Sequence, residues 1–511
     1  MSGIKKLAGQ TIWYGASSIA ARFINYLLTP LLTYNLATGD FGKMGLIYSA
    51  IPILNVIFTY GFETAYFRFA SKDEYKQSVY STAALSLFFT TILLTALLWF
   101  NQHSFAAVVQ LQEFPTIIQL SIFIIALDAL STIPFARLRE RGRPKKFAFI
   151  KITGILFNII ITWFFVKYCP DQLAKNPGSW VKSVYDPGVN PVVYVILANL
   201  IQSALTLLLL AKEILLIRFR FNWALWRQMM IYSLPLIIVG MAGMVNETFD
   251  RLMLMWWLPG AKEIREQQVG IYNACYKLSI LITLFIQAFR LGAEPFFFKQ
   301  AEGQNPQRTY ARVMKFFVII IAIMFLVVSL FMPIWKYFIG DKYWEGLAVV
   351  PVLLLANMFL GIYYNLSVWY KLTNKNLYGA YITIGGAVIT ILLNVLLIPW
   401  LHYTGAALAT FCCYLFMMLS SYKLGQKHYP IPYPVKKLTA YIVLVLMLYL
   451  IHLALVSWVS SSYAFSLGTG VIFFGAFAWF VGQVEAKDLV KLPVIGRFIR
   501  YPKTKTITPA E

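Results

Sequence analysis

The chain has 511 residues, of which 59% are hydrophobic and only 13% are charged, and its formal net charge is +23. This balance excludes a water-soluble globular protein, which has no use for so much apolar surface. Its apolar runs reach about 20 residues, the length of a membrane-crossing helix, and lack the two-residue alternation of barrel strands, so we expect an all-α polytopic membrane protein.

Hydropathy predicts about fourteen transmembrane helices. In chain order these spans cover residues 10–36, 44–68, 79–100, 115–136, 147–168, 191–217, 229–257, 269–298, 313–334, 348–370, 377–398, 403–422, 437–457 and 463–482. Lys and Arg concentrate in the loops on the N-terminal side, including the run from Arg137 to Lys146, whereas acidic residues are evenly divided. By the positive-inside rule, both termini are predicted to be cytoplasmic.

The basic run from Arg137 to Lys146 is interpreted as an orientation signal that meets anionic lipid headgroups. A loop this short presents no folded domain to a nucleic acid, so we expect membrane lipids and no nucleic acid as partners. The four cysteines and four histidines are scattered and lack the spacing of metal ligands. No metal site and no cofactor are therefore predicted.

Ten charged side chains are predicted to lie within the membrane, away from the entrances of their spans, and all of them precede residue 300. They are Arg22, Glu63, Asp128, Lys151, Glu247, Asp250, Arg251, Lys277, Arg290 and Glu294. A charge at the centre of a membrane helix costs about 2.5 kcal/mol or more, so such groups face a watery cavity, pair with one another, or bind a transported substrate. The set predicts a transporter whose cavity lies in this part of the chain.

Arg22 lies near the middle of span 1, and Asn25 lies about one turn further along the helix. A guanidinium group presents a planar fork of donors that pairs bidentately with phosphate oxygens and keeps its proton. Arg22 is therefore the leading candidate for binding an anionic, phosphate-bearing headgroup. The alternative is a structural ion pair with an acid on another helix, such as Glu63 or Glu247.

Span 7 carries three charges within five residues, Glu247, Asp250 and Arg251. Glu247 and Arg251 are four residues apart, so they share a helix face and are expected to neutralise each other. Asp250 is left in need of a partner, and Lys277 of span 8 lies at a similar depth. Because desolvation favours a protonated carboxyl, Asp250 or Glu247 could couple transport to H⁺ or Na⁺. A closed salt-bridge network is the alternative.

The remaining charges give weaker predictions. Glu63 and Glu294 are further candidates for ion coupling, and Arg290 is a further candidate for lining the cavity. For Arg290 and Glu294, which are four residues apart, a position at the membrane interface is the alternative. Asp128 and Lys151, on neighbouring spans, are predicted to form an interhelical ion pair with a structural role.

Spans 2 and 8 resemble each other, because each opens with glycine and tyrosine and ends with an acid followed five residues later by a base. The matching residues are Gly45, Tyr48, Glu63 and Arg68 in span 2, and Gly270, Tyr272, Glu294 and Lys299 in span 8. This spacing predicts two pseudo-symmetric six-helix lobes, residues 1–222 and 223–430, followed by spans 13 and 14 with the tail in residues 431–511. Transporters of duplicated build place their substrate between the lobes.

Four stretches carry a likeness to a known family. They are the join of spans 1 and 2 from Leu31 to Gly42, followed by Gly45, and the segments Asp250 to Leu254, Val269 to Lys277 and Ala288 to Lys299. They resemble the polysaccharide-transport branch of the multidrug/oligosaccharidyl-lipid/polysaccharide exporter superfamily. The resemblance implies a V-shaped central cavity lined by basic residues, here Arg22, Arg251, Lys277 and Arg290, and transport driven by an ion gradient.

The resemblance also implies a substrate, an undecaprenyl-pyrophosphate-linked oligosaccharide carried to the periplasmic leaflet of the bacterial inner membrane. Such a protein is a secondary-active flippase and not an enzyme. Its further expected partners are a polysaccharide polymerase and glycosyltransferases. The alternatives are a lipid II flippase, whose fourteen spans the chain matches, a multidrug exporter, and a membrane glycan polymerase or ligase, which would need a larger external loop.

Overall fold

The computed structural model describes residues 19–75, 78–301 and 305–489, apart from the side chains of residues 73, 294, 295, 299, 487 and 489. Within these ranges the regular structure is entirely helical, and no strand is present. The prediction of an all-α membrane protein is therefore confirmed. The apolar composition suits a chain that lies in lipid, where each helix satisfies the hydrogen bonds of its own backbone.

Twelve helical stretches of the described chain are long and apolar enough to cross a membrane. They are Thr38–Thr59, Val79–Phe100, Pro115–Glu140, Pro144–Lys175, Pro191–Leu209, Trp223–Trp257, Lys262–Phe298, Pro306–Ser329, Asp341–Leu372, Asn376–His428, Val435–Trp458 and Tyr463–Val484. The stretch Asn376–His428 joins two helices at His402, whose backbone is non-helical. The first predicted span begins in residues 10–18, which lie outside the described residues, and the count of fourteen stays a prediction.

The chain divides into two compact units, the first formed by residues up to Tyr310 together with Lys336–Ile431. Its principal helices are α1 (19–26), α2 (Leu28–Asn35), α3 (Thr38–Thr59), α4 (Phe62–Ala70), α5 (Val79–Phe100), α6 (Gln102–Val108), α7 (Pro115–Glu140), α8 (Pro144–Trp163), α9 (Cys169–Lys175), α10 (Pro191–Leu209), α11 (Ala211–Ile214), α12 (Trp223–Trp257) and α13 (Lys262–Gln300). That the two lobes end at residues 222 and 430 stays a prediction.

The second unit comprises Ala311–Trp335 and the chain from Pro432 onward. It contains most of α14 (Pro306–Ser329), then α15 (Met332–Trp335), α19 (Val435–Trp458), α20 (Tyr463–Val484) and α21 (Ala486–Leu489). Lys315 of α14 is buried and places its Nζ 2.6 Å from Glu485 Oε2 and 2.5 Å from Asp488 Oδ2. Because Tyr441 also donates to Glu485, over 2.6 Å, this cluster joins α14 to the last helices of the unit.

Residues 336–431 complete the first unit with α16 (Val350–Leu366), α17 (Val368–Leu372) and α18 (Asn376–His428). The shorter 3₁₀ and π turns of the chain are Asp73–Tyr75, Phe164–Tyr168, Trp180–Ser183, Lys336–Phe338 and Asp341–Val349. α18 packs along both α12 and α16, so the helices after residue 336 pack on the charged part of the chain.

The second predicted span is broken into α3 and α4, where one helix over 44–68 was expected. Tyr60 and Gly61 adopt φ values of 34° and 71°, the left-handed region that glycine enters without steric cost. The break places Glu63 in the first turn of α4, where unpaired backbone N–H groups favour a negative charge.

α3 and α13 cross at a pair of glycines in a reciprocal contact. A Cβ atom added to Gly42 would overlap the carbonyl oxygen of Glu266, and one added to Gly270 would overlap that of Thr38. Each glycine thus lies against the carbonyl four residues before the other, the arrangement that a local two-fold axis produces. In this contact the counterpart of Gly270 is Gly42, whereas the repeat between spans 2 and 8 matches Gly270 with Gly45.

Candidate functional site

The first unit encloses a cavity of about 970 Å³ lined by helices α1–α4, α7, α8, α10, α12 and α13. Along α3 and α4 its lining extends from Phe41 past Thr59 to Glu63. At 1.5 Å per residue the stretch from Phe41 to Thr59 measures about 27 Å, close to the thickness of a bilayer's hydrocarbon core. Its charged lining consists of Arg22, Glu63, Asp128, Arg139, Lys151, Glu247, Arg251 and Lys277.

Arg22 and Asn25 project from α1 into this cavity, and both side chains are exposed there. The opposite face of the helix is anchored, because Ala21 and Tyr26 are buried and Tyr26 stacks on Phe338 with ring centroids 4.4 Å apart. No ion pair of Arg22 is found in the described chain. The alternative of a structural pair with Glu63 or Glu247 is therefore not what the structure shows.

The charges of span 7 pair differently from the sequence prediction. Arg251 is buried, and its Nη1 lies 2.9 Å from Oδ1 of Asp250 and 3.0 Å from the backbone oxygen of Glu247. Tyr272 donates its hydroxyl to the other Asp250 oxygen over 2.6 Å. The predicted pairing of Arg251 with the Glu247 carboxylate is wrong, because the adjacent Asp250 turns back onto the guanidinium.

This arrangement leaves Glu247 with its side chain exposed on the cavity wall, and it has no ion-pair partner among residues 19–75, 78–301 and 305–489. Asp250, in contrast, is only 3% exposed, and its oxygens accept from Arg251 and Tyr272. Asp250 therefore needs no ion pair with Lys277 of the next helix, which the sequence had suggested as its partner. Of the two acids, Glu247 is the one that can reach an ion or substrate in the cavity.

Lys277 also lines the cavity, half-buried, one residue beyond Tyr276. The Tyr276 ring lies 4.2 Å from the Arg251 guanidinium carbon, so the aromatic ring covers the buried ion pair. Lys277 forms no ion pair with a described carboxylate. It is therefore a further cation of the cavity wall without a carboxylate partner, like Arg22.

Glu63 forms an ion pair with Arg139. The sequence pattern had predicted Arg139 in the basic loop after span 4. α7 continues to Glu140, four residues beyond the predicted end of that span, and this places Arg139 on the helix and in the cavity lining. Arg68, the base that follows Glu63 in sequence, instead covers the ring of Tyr232 at 4.2 Å. The Glu63–Arg139 pair lies where the cavity meets the basic end of the bundle.

The predicted ion pair between Asp128 and Lys151 is wrong. Asp128 accepts a hydrogen bond of 2.8 Å from Ser203, while the Lys151 ammonium lies over the ring of Phe135, 4.5 Å from its centroid. Both side chains line the cavity. Asp128 bonds to Ser203 because α10, which carries this serine, packs against both α7 and α8. Lys151 of α8 instead contacts an aromatic ring of α7.

Arg290 does not belong to the lining of this cavity. It lies over the ring of Tyr364 at 4.0 Å and borders a small pocket of about 20 Å³ between α13, α16 and α17. Of the four basic residues predicted to line the cavity, Arg290 is the one that the structure places outside its lining. The side chain of Glu294, another predicted ion-coupling residue, lies outside the described residues.

At the opposite end from Glu63, the helices around the cavity are tied together by polar contacts. Lys43 Nζ lies 3.1 Å from Asp40 Oδ1 and 3.5 Å from Glu266 Oε2, which joins α3 to α13. Asn190, just before α10, donates to the same Asp40 oxygen over 2.8 Å. Together with the Gly42–Gly270 crossing, these contacts close the bundle at this end. We call this region the latch.

The sequence analysis missed the uncharged polar lining. On α10 the residues Asn199, Gln202, Ser203 and Thr206 all face the cavity, and Asn158 does so on α8. Their spacing of three and four residues is a helical stripe, which was visible in the sequence. The stripe was overlooked because only charged residues were counted inside the spans.

Residues 7–299 match the family described as polysaccharide biosynthesis protein. No protein of the curated collection matches the chain. Among solved structures, the lipid II flippase MurJ in an inward closed conformation superposes with a TM-score of 0.66 at 14% identity, over 93% of this chain and 99% of that one.

An inward-facing multidrug resistance transporter of the MATE family, in the MOP superfamily, superposes with a TM-score of 0.62 at 12% identity, over 84% of this chain and 95% of that one. An outward-facing member of the same family superposes with a TM-score of 0.55 at 12% identity, over 86% of this chain and 96% of that one. These identities establish a shared fold and leave the substrate open. By its sequence match over residues 7–299, the chain belongs to the polysaccharide biosynthesis protein family, and it shares its multi-pass helical fold with the lipid II flippase and the multidrug resistance transporters.

Proposed function

We propose that the protein is a flippase that moves an undecaprenyl-pyrophosphate-linked oligosaccharide from the cytoplasmic to the periplasmic leaflet of the bacterial inner membrane. The oligosaccharide would be a repeat unit of O-antigen, capsule or exopolysaccharide. The observation that carries the proposal is Arg22, a guanidinium exposed in a membrane-embedded cavity without a carboxylate partner. A structural arginine at that depth would be neutralised, because an unpaired buried charge is costly.

The cavity favours an anionic substrate. Five cationic and three anionic side chains line it, and Arg139 and Arg251 are already neutralised by Glu63 and Asp250. Of the other three, Lys151 lies over the Phe135 ring. Arg22 and Lys277 are left to bind the diphosphate, Arg22 as a bidentate fork and Lys277 as a point charge. Asn25, one turn from Arg22, offers an amide donor to the same group.

Transport would proceed by alternating access. The positive-inside rule supports an orientation in which the Glu63–Arg139 end of the cavity faces the cytoplasm and the latch faces the periplasm. In this orientation the headgroup enters beside Glu63, and opening of the Lys43–Glu266 contact releases it outside. The Glu247 carboxylate, exposed next to the buried Arg251–Asp250 pair, would bind the coupling H⁺ or Na⁺.

Complementation of a flippase-deficient strain tests this proposal. Arg22→Ala is expected to abolish surface glycan and Arg22→Lys to lose most of it, because a lysine cannot reproduce the bidentate fork. Arg68→Ala, which removes an exposed arginine that stacks on Tyr232 outside the cavity, is the matched control and should restore the glycan. Full activity of Arg22→Ala at normal protein levels would refute the assignment.

A multidrug exporter is distinguished by the same set of variants. A site for cationic drugs gains from losing a positive charge, so Arg22→Ala would then maintain or increase drug resistance. A lipid II flippase would also depend on Arg22, and it is distinguished by rescue of a strain depleted of its lipid II flippase. We expect the protein to rescue surface polysaccharide and not lipid II transport.

A further inference from the structure

The cavity has a second polar wall that the binding of a diphosphate does not use. It is formed by Asn158 on α8 and by Asn199 and Gln202 on α10, and we call these three residues the amide wall. Residues 199, 202, 203 and 206 recur at helical spacing on a helix that is otherwise apolar, so one stripe of α10 faces water inside the membrane. Helix packing does not require such a stripe.

The amide wall is held in place by its neighbours. Asn199 donates to the hydroxyl of Tyr48 on α3 over 3.3 Å, and Ser203 donates to Asp128 on α7 over 2.8 Å. α8 approaches α10 closely at Gly154, where an added Cβ atom would lie 3.1 Å from the Thr206 hydroxyl. These contacts fix the backbone and leave the amides directed at the cavity.

Two of the amides are free to bind a ligand. Asn158 is only 5% exposed, and its Oδ1 accepts from Thr162 over 3.4 Å, but its Nδ2 has no partner in the described part of the chain. The Gln202 amide likewise forms no hydrogen bond with a described residue. A donor or acceptor facing a cavity in a membrane has only water or a ligand to satisfy it.

The chemistry of the wall indicates its ligand. A carboxamide offers a donor and an acceptor on one plane and carries no charge, so several of them suit the adjacent hydroxyl groups of a sugar. A phosphate needs cations, and the two assigned to it, Arg22 and Lys277, lie on α1 and α13, whereas Lys151 of α8 lies over the Phe135 ring. Asp128, held by Ser203, adds an acceptor for hydroxyl groups, and Phe147 adds an apolar group to the lining.

We propose that the amide wall is the subsite for the uncharged sugars of the lipid-linked substrate, adjacent to the site for its diphosphate. This inference rests on the proposed function and deepens it. The diphosphate would bind at Arg22 and Lys277, while the first sugars bind against α8 and α10. The wall would then supply selectivity among glycans, because hydroxyl positions are read by fixed amides whereas the diphosphate is common to all substrates of this class.

The test compares two lipids on the purified full-length protein in detergent micelles. One is undecaprenyl diphosphate, which has no sugar, and the other is lipid-linked oligosaccharide extracted from the source organism. We expect the wild type to bind the sugar-bearing lipid at least tenfold more tightly. Gln202→Leu and the double variant Asn158→Leu/Gln202→Leu should lose most of that difference and bind undecaprenyl diphosphate as the wild type does.

Binding of the sugarless lipid also reports folding, since a misfolded variant would lose both ligands. Gln119→Leu, which removes an amide bonded to Gln102 on α6 away from the cavity, is the matched control and should keep the full difference. The subsite is refuted if Gln202→Leu and the double variant keep the wild-type preference, or if the wild type shows none. If the wild type binds neither lipid and Arg22→Ala changes nothing, the proposed function itself fails.

Discussion

At the scale of single residues, the two acids of span 7 have different surroundings despite being three positions apart. Asp250 is enclosed by Arg251 and Tyr272, whereas Glu247 is open to the cavity. A buried carboxylate that neutralises a buried guanidinium stabilises the fold, while an open one is available for chemistry. This contrast separates structure from function at two neighbouring positions.

Stability measurements should show the difference. Asp250→Ala leaves Arg251 buried without its counter-charge, which costs on the order of 3 kcal/mol. Glu247→Ala removes an exposed side chain and should change stability by no more than about 0.5 kcal/mol. We expect thermal unfolding of the purified protein to shift clearly for the first variant only. Equal shifts would mean that Glu247 is also held in a buried pair.

Transport should show the reverse order. Glu247→Gln keeps the size of the side chain and removes its charge, so we expect a folded protein whose transport no longer responds to an imposed H⁺ or Na⁺ gradient. The measurement is lipid movement in proteoliposomes with and without the gradient. Retention of the wild-type response would assign ion coupling to another carboxylate.

The sequence predicted which residues are charged inside the membrane but not how they pair. Arg22, Lys277 and Glu247 do lie together in one cavity. The pairings of Arg251 and Asp128 were wrong, because helical spacing specifies a shared face and not the rotamer that a neighbouring tyrosine or serine stabilises. Arg139 was missed because α7 extends beyond its apolar segment.

At the scale of helices, the α3–α13 crossing depends on two glycines. Their backbones approach so closely that no Cβ atom fits at Gly42 or Gly270. Small residues allow such close contact between membrane helices. The crossing lies beside the Lys43–Glu266 ion pair, so the latch combines a tight backbone contact with a charge pair that water can open.

Gly270→Ala should therefore push α3 and α13 apart at the latch. We expect Asn25→Cys in the cavity to react several times faster with a membrane-impermeant maleimide added to spheroplasts when Gly270→Ala is also present. Gly243→Ala is the matched control, because an added methyl group there meets nothing within 4 Å. No change in labelling with Gly270→Ala would show that the crossing does not close the cavity.

Sequence patterns located most helices but not their interruptions. Apolar length predicted the spans, and the break at His402 fell between two predicted spans. The break at Tyr60 and Gly61 was missed, since a single glycine in an apolar run does not by itself end a helix. The α10 stripe was detectable from its three- and four-residue spacing, and the sequence analysis overlooked it.

At the scale of the whole molecule, the basic residues predict orientation, and labelling can test it. With the four native cysteines replaced, Lys145→Cys in the first turn of α8 should react with impermeant maleimide only after permeabilisation. Lys182→Cys, in the connection between α9 and α10, should react in intact spheroplasts. The opposite pattern would invert the proposed direction of transport.

The central claim is that the unpaired guanidinium of Arg22 binds the diphosphate of a lipid that crosses the membrane. The most direct measurement is the transbilayer movement of lipid-linked oligosaccharide in proteoliposomes that contain the wild type or an Arg22 variant. The account predicts no movement above background for Arg22→Ala and, since a bidentate contact contributes about 1.4 kcal/mol more than a point charge, roughly tenfold slower movement for Arg22→Lys. A wild-type rate for Arg22→Ala would contradict it.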